Sequence, residues 1–287
     1  MTEVHPVLLI HGGATHRIEF PELEATSRAL DRIVSEAGAI LADGGTALQA
    51  AAKAVHGLEA DPLFNAGLGA KLQRDGVARL SASAMDGSRA RFGAVLNVQE
   101  LCHPSLLAVH LLEQEDRVLD GTGAHELARE LRLPRHSPLT ELRFQEWLEH
   151  SSANPYGTVG AVALDRAGRL AAMTSTGGKG LERPGRVSDS ATPAGNYADA
   201  YAAISCTGIG EHILECAVAP RIAAGIQAGG LLHEVCDGLV AALERGRREL
   251  GFIAVDGAGN TRASWTTECM AHRVWRGSIV EGWPRNG

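Results

Sequence analysis

The sequence predicts an α+β fold, a four-layer αββα sandwich in which two sheets pack face to face under outer helices. Three observations lead there. Helical stripes occupy the middle of each half of the chain, with strand patterns around them. The two halves meet at Gly157/Thr158. With 287 residues, 45% of them apolar, the chain can bury a large core and is not disordered. A doubly wound sheet accommodates this element order less well.

From the N-terminus, Val7-Leu8-Leu9-Ile10 is a short apolar run ended by His11-Gly12-Gly13, a buried strand entering a glycine turn. Leu30, Ile33, Val34, Ala37 and Leu41 recur at helical spacing, and Gly44-Gly45 stops that helix. Thr46 with Gln49 gives a capping-box signature for a second helix running to about His56. A turn-rich loop from Pro62 to Gly69 follows. Strands are expected near 77–85 and 91–97, and helices near 104–114 and 122–131. Leu133 to Gly157 carries Pro134, Pro138 and Pro155 and reads as an exposed linker with one helical turn around Phe144–Leu148. A hairpin over 158–176 turns at Ala167-Gly168, and a long loop spans 177–200. A strand at 202–207 enters a helix near Gly210 that Pro220 should kink or break. Leu232, Val235, Cys236, Leu239, Val240 and Leu243 mark another helix, and strands near 251–256, 261–266 and 271–276 close the chain.

Composition excludes several functions. The net charge is −7, which argues against a general nucleic-acid surface. Five cysteines without C-x-x-C spacing form neither a disulfide framework nor a zinc site. No apolar run is long enough to span a membrane, and the first residues show no basic, apolar leader, so a reducing cytoplasm is expected. There is no G-x-S-x-G for a serine hydrolase, Gly177-Gly178-Lys179-Gly180 lacks the spacing of a phosphate loop, and the twelve histidines include no H-x-x-x-H pair.

Chemistry concentrates in the 158–176 hairpin. Antiparallel pairing brings Gly157-Thr158-Val159-Gly160 beside Thr174-Ser175-Thr176-Gly177-Gly178. A cut before Thr158 would give it a free α-amine next to its own hydroxyl, a nucleophile with a built-in base. Gly157 lacks a Cβ and tolerates the strained backbone such a cut requires. An amide-cleaving enzyme is the leading expectation.

Six segments occur in the order seen in plant-type asparaginases: Ile10–Ala14, Phe64–Gly69, Gly157–Asp165, Thr174–Gly178, Pro184–Val187 and Cys206–Glu211. The chain therefore resembles the isoaspartyl peptidase/L-asparaginase branch of the N-terminal-nucleophile hydrolases, over nearly its whole length and least from about 117 to 156. The resemblance implies the αββα fold, a single domain over 1–287 cut into an α subunit 1–157 and a β subunit 158–287, a homodimer of such αβ units, and hydrolysis of β-aspartyl dipeptides and L-asparagine to L-aspartate. It implies Thr158 as nucleophile, Thr176 as its hydrogen-bonding partner, and Asn65 near its amine. Thr207 and Gly208 match the oxyanion-hole pair; such donors contribute about 10²–10³-fold in rate. Arg186 matches the clamp on the substrate α-carboxylate, Asp189 the acceptor of its α-ammonium, and Gly210 leaves it room. No cofactor is implied for catalysis. A loop from Leu58 through Glu59 and Phe64 to Gly67 matches one whose backbone carbonyls hold sodium, with an ion-free polar turn as the alternative.

Three departures bear on substrate preference and cleavage. Ser188 replaces a glycine between Arg186 and Asp189, Ser81 replaces an acidic residue with expected loss of a support contact, and Ile209 places an apolar group beside the oxyanion turn. The linker before Thr158 is also short. A glycosylasparaginase-like amidase and an uncleaved, inactive relative that binds amino acids or peptides remain open as alternatives.

Overall fold

The computed structural model describes residues 4–15, 22–150 and 157–283. In chain order these form β1 (Val7–Thr15), α1 (Glu22–Ala42), α2 (Ala47–Ala60), β2 (Leu80–Asp86), β3 (Arg91–Val98), α3 (Pro104–Leu111), β4 (Val118–Leu119), α4 (Gly121–Glu130) and α5 (Glu141–Leu148). The second half adds β5 (Val159–Leu164), β6 (Leu170–Thr176), β7 (Asn196–Ala198), β8 (Ala202–Gly208), α6 (Gly210–Cys216), α7 (Val218–Gln227), α8 (Leu232–Arg245), β9 (Leu250–Asp256), β10 (Thr261–Trp265), β11 (Cys269–Arg276) and β12 (Ile279–Trp283). One sheet has the order β12-β11-β1-β5-β6-β2-β3-β4 and the other β10-β9-β8-β7.

Side-chain alternation sorts the central strands into layers. Val7 and Leu9 of β1, with Val162, Leu164, Leu170 and Ala172 of the hairpin, pack with Ala203, Ile253 and Val255 of the small sheet. Leu8, Ile10, Ala161, Ala163, Ala171 and Met173 point the other way, onto Leu30, Ile33, Val55 and Leu58 of α1 and α2. Ile204, Cys206 and Phe252 on the outer face of the small sheet meet Ile222, Cys236 and Leu239 of α7 and α8. Helices, sheet, sheet and helices therefore stack as the expected four layers. Strands buried on both faces read as continuous apolar runs, which is why β5 and β6 carry no polar side chain before Thr174.

The hairpin turns at Ala167-Gly168, with Gly168 at φ +75°. Asp165, fully buried at its root, accepts the Ala167 and Arg169 N–H groups through Oδ1 and the Ala47 N–H through Oδ2, tying the turn to the start of α2. Thr46 and Gln49 form the expected capping box.

Several expected elements change in extent. Helix α1 begins eight residues before the apolar stripe, because its first turns bury Thr26, Ser27 and Ala29, which carry little hydrophobic signal. Helix α2 continues past Gly57 to Ala60; an added Cβ at Gly57 would stand 3.2 Å from Ile33, so the glycine admits α1 rather than ending α2. The break near Pro220 falls at Ala217 instead, in left-handed conformation at φ 46°, and Pro220 sits in the first turn of α7, where its missing N–H is not needed. The proline-rich stretch after Leu133 is more anchored than an exposed linker: it forms α5, and buried Arg143 donates Nε to the Gly69 carbonyl at 2.8 Å and pairs with Glu146 at 2.9 Å. Residues 151–156 of that stretch lie outside the described residues. Strands β4, β7 and β12 have no counterpart in the sequence pattern; all three are sheet edges, of two, three and five residues.

Candidate active site

The face between the sheets is apolar along most of its length and turns polar at one end. Gly160 pairs with Thr174 and Val159 with Ser175, so Thr158, Gly160, Thr174 and Thr176 share the face that looks toward the small sheet. From that sheet β8 presents Ser205 and Thr207. Thr158 Oγ1 donates to Thr176 Oγ1 at 3.1 Å, and Thr176 Oγ1 also accepts the Gly178 N–H at 3.1 Å. Thr207 Oγ1 accepts the Ala14 N–H at 3.2 Å and donates to the Thr158 carbonyl at 3.3 Å. The three threonines are at most 8% exposed. Thus the three threonines singled out in the sequence meet in one buried cluster: Thr158 bonds Thr176 through its hydroxyl and Thr207 through its backbone carbonyl.

The bond before Thr158 is enclosed. A Cβ on Gly157 would lie 2.6 Å from Asn65 Cβ, and one on Gly13 would lie 2.9 Å from Gly157 Cα. Only glycine fits either position. Asn65, 2% exposed, donates Nδ2 to the Gly178 carbonyl at 2.5 Å and accepts the Lys71 N–H at 2.9 Å, while its own carbonyl takes the Gly177 N–H at 2.9 Å. It therefore fixes the loop after Thr176 against the backbone of Gly157. Gly208, at φ +126°, allows β8 to leave its sheet beside Leu250, whose Cα a Cβ would approach to 2.5 Å.

Beneath this lies a network that no sequence motif announces. His11 Nε2 stands 3.0 Å from Ser205 Oγ, Ser205 Oγ 2.7 Å from Thr174 Oγ1, and Thr174 Oγ1 donates to Asn196 Oδ1 at 3.1 Å. These four residues come from β1, β8, β6 and β7 and join the sheets behind the threonines. Burial pushes the His11 imidazole down to about 3, so it is neutral at physiological pH. A Cβ on Gly160 would come within 2.0 Å of Ser205 Oγ, which explains a glycine inside that strand.

The long loop after β6 carries Arg186 and Asp189. Ser83 Oγ donates to the Ser190 carbonyl at 2.6 Å, holding the loop against β2. Asp189 is 2% exposed, its Oδ2 has no hydrogen-bond partner, and burial pushes its carboxyl up to about 7. Gly195 and Gly210 abut it: added Cβ atoms would stand 2.3 Å from Oδ2 and 2.6 Å from Oδ1. Arg186 forks onto Glu211 through Nε and Nη2, both at 2.7 Å, and this pairing holds the Glu211 carboxyl down at about 2. Glu211 closes the Cys206–Glu211 segment, yet sequence reasoning assigns it no role. An exposed acid at the start of a helix gives no signal that an arginine 25 residues earlier will return to it.

Two departures lie beside the site. Ser188 stands against Gly210, where an added Cβ would lie 2.6 Å from its Cβ and from Asp189 Oδ1, so its side chain narrows the space beside the acid. Ser81 sits opposite Thr176 and accepts the Asn97 N–H at 3.1 Å, which pins a register shift between β2 and β3. Ile209 is the residue before α6, and its N–H donates to the Glu249 carbonyl.

At the Leu58–Gly67 loop, carbonyl oxygens crowd two glycines. A Cβ on Gly67 would meet the Glu59 and Cys102 carbonyls at 2.3 and 2.4 Å, and one on Gly69 the Phe64 and Pro62 carbonyls at 2.2 and 2.5 Å. Converging carbonyl oxygens are the ligand type a hard cation takes.

The asparaginase family's sequence profile matches residues 4–281. Among curated proteins, the chain is 43% identical over 289 residues to an isoaspartyl peptidase/L-asparaginase of Nostoc sp., covering 93% of this chain and 90% of the relative. It is 42% identical to a protein of the same description from Synechocystis sp., covering 92% and 85%. An isoaspartyl peptidase of Escherichia coli is 40% identical over 296 residues, covering 94% and 92%.

Proposed function

Because the chain belongs to the asparaginase family, we propose that it is an autoproteolytically activated amidohydrolase that releases L-aspartate from β-aspartyl dipeptides and L-asparagine. The observation that carries this reading is the Thr158–Thr176 hydroxyl pair at 3.1 Å, with the Gly157 backbone enclosed beside it. In the activating step Thr158 Oγ attacks the Gly157 carbonyl carbon. The peptide C–N bond breaks as the hydroxyl proton passes to nitrogen, and water then hydrolyses the resulting ester. Gly157 becomes a carboxylate and Thr158 gains a free amine.

In turnover the freed amine takes the Thr158 hydroxyl proton as Oγ attacks the substrate β-carbonyl. It returns that proton to the departing amine, and water releases aspartate from the ester. Thr176 orients the nucleophile. Thr207, freed from the Thr158 carbonyl, and the N–H of Gly208 stabilise negative charge on the attacked carbonyl oxygen. Arg186 takes the α-carboxylate in place of Glu211, Asp189 takes the α-ammonium, and Gly210 leaves space. The carbonyls of Leu58, Glu59, Phe64 and Gly67 would hold a structural sodium ion, without a part in the chemistry. A homodimer of αβ units and a cytoplasmic location belong to the same reading, the latter supported by five free cysteines. Release of aspartate from β-aspartyl-leucine and L-asparagine tests the assignment; release from neither rejects it.

Asp189 gives this reading a pH signature. A carboxyl that loses its proton near 7 can receive an ammonium only above that pH, so affinity for L-aspartate should weaken roughly tenfold per unit as pH falls below about 7. Calorimetric Kd values between pH 5 and 8 check this. Asp189→Asn should bind weakly at every pH, with the slope gone. A wild-type Kd that stays flat over that range would remove Asp189 from the ammonium site.

A further inference from the structure

Away from the threonines, α2 and the start of α3 bring together two histidines and a buried acid. His56 and Glu59, one helical turn apart on α2, face His103, the residue preceding α3. The His56 and His103 rings stack with centroids 3.8 Å apart. Neither Nδ1 has a hydrogen-bond partner, although both atoms are buried. Glu59 is 0% exposed, and among the described residues the only basic group within 4.0 Å of its carboxylate is His103, at 3.4 Å from Nδ1 to Oε2. One ligand atom from each of the three residues lies within 4.8 Å of the other two.

The Glu59 carboxylate accepts the Ser105 N–H and hydroxyl and the Ser175 hydroxyl, but among the described residues its charge has no cation beside it other than a protonated His103. One divalent ion would neutralise that charge and satisfy the two buried imidazole nitrogens, which lack partners. We propose that His56, Glu59 and His103 form a side-chain site for a zinc-class divalent cation. Two imidazole nitrogens and one carboxylate oxygen are the donor set such ions take. In a tetrahedron with bonds of about 2.0–2.1 Å, neighbouring ligand atoms stand about 3.4 Å apart. The His103–Glu59 separation already has that value. The fourth position would fall to water, and a cavity of about 330 Å³ lined by Cys102, His103, Leu106, Leu133 and His136 adjoins the cluster at His103. The site is separate from the carbonyl loop, which would use the backbone oxygen of Glu59. It is also tied to the reaction centre from behind: Glu59 Oε1 accepts the Ser175 hydroxyl at 2.6 Å, and Ser175 lies between Thr174 and Thr176 on β6.

Zinc titration of the chelator-treated full-length protein tests the site, followed by cobalt substitution. Wild type should bind one Zn²⁺ per chain with micromolar or tighter Kd, and the Co²⁺ form should show visible bands that Zn²⁺ bleaches. His56→Gln and His103→Gln, on partly exposed residues, should each weaken Zn²⁺ binding at least tenfold while far-UV circular dichroism stays that of wild type. Glu59→Gln also removes bonds to Ser105 and Ser175, so the histidine variants are the decisive ones. Absence of Zn²⁺ binding below millimolar concentration, or a Kd within twofold of wild type in either histidine variant, would overturn the proposal.

Discussion

Replacing Thr158 by alanine is expected to abolish chain cleavage and amide hydrolysis together. The variant loses the atom that attacks the Gly157 carbonyl and, with cleavage blocked, never exposes the amine that would serve as base. Loss of a covalent nucleophile costs at least about 10⁴-fold in turnover, and nothing else in the pocket replaces it. Thr176 Oγ1 is the nearest other hydroxyl, but it is engaged by Thr158 and by the Gly178 N–H and would carry no terminal amine. Thr158→Ser keeps the hydroxyl and should retain part of both activities. Electrophoresis and aspartate release, measured on the same preparations, read the two losses side by side. An alanine variant as active as wild type would place the nucleophile elsewhere.

The second large effect concerns linkage. Arg186 and Asp189 can hold an aspartyl unit only through a free α-carboxylate and α-ammonium, so the scissile amide must be on the β-carboxyl. An α-linked dipeptide has spent its α-carboxyl in the bond. It would offer Arg186 nothing in exchange for Glu211, and its ammonium would reach Asp189, 2% exposed, without the second anchor. Sites built on buried charged and hydrogen-bonding groups reject substrates lacking the partner by about 10⁴-fold or more. Discrimination of that order is expected between β-aspartyl-leucine and α-aspartyl-leucine in kcat/KM. L-asparagine should fall below the β-dipeptide, whose leaving amine has further groups to contact. Comparable rates on the α- and β-linked isomers would refute the clamp.

The hairpin and its threonines are legible in the sequence because strands buried on both faces read as unbroken apolar runs. Hydroxyls at the ends of such runs, next to glycines, stand out. The layer order follows from the positions of the helical stripes. What escapes a sequence reading depends on partners far apart in the chain. Glu211 meets Arg186 across 25 residues, His11 meets Ser205 across 194, and the His56–Glu59–His103 cluster has no sequence spacing to announce it. Ser81 looks like a loss in sequence because only the residue type it replaces is in view. Its hydrogen bond with the Asn97 N–H exists only once β3 is in place. Gly57 and Pro220 mislead for a local reason: each is a helix breaker in isolation and here serves packing or a first turn instead.

The central claim, an N-terminal threonine made by the chain itself, is tested most directly by intact-mass analysis joined to N-terminal sequencing, on purified protein whose hydrolysis of β-aspartyl-leucine is followed at the same time. The account predicts two fragments of 157 and 130 residues formed without added protease, the second beginning Thr158-Val159-Gly160, with activity rising in step with cleavage. Full hydrolytic activity from a chain that remains 287 residues long would contradict it.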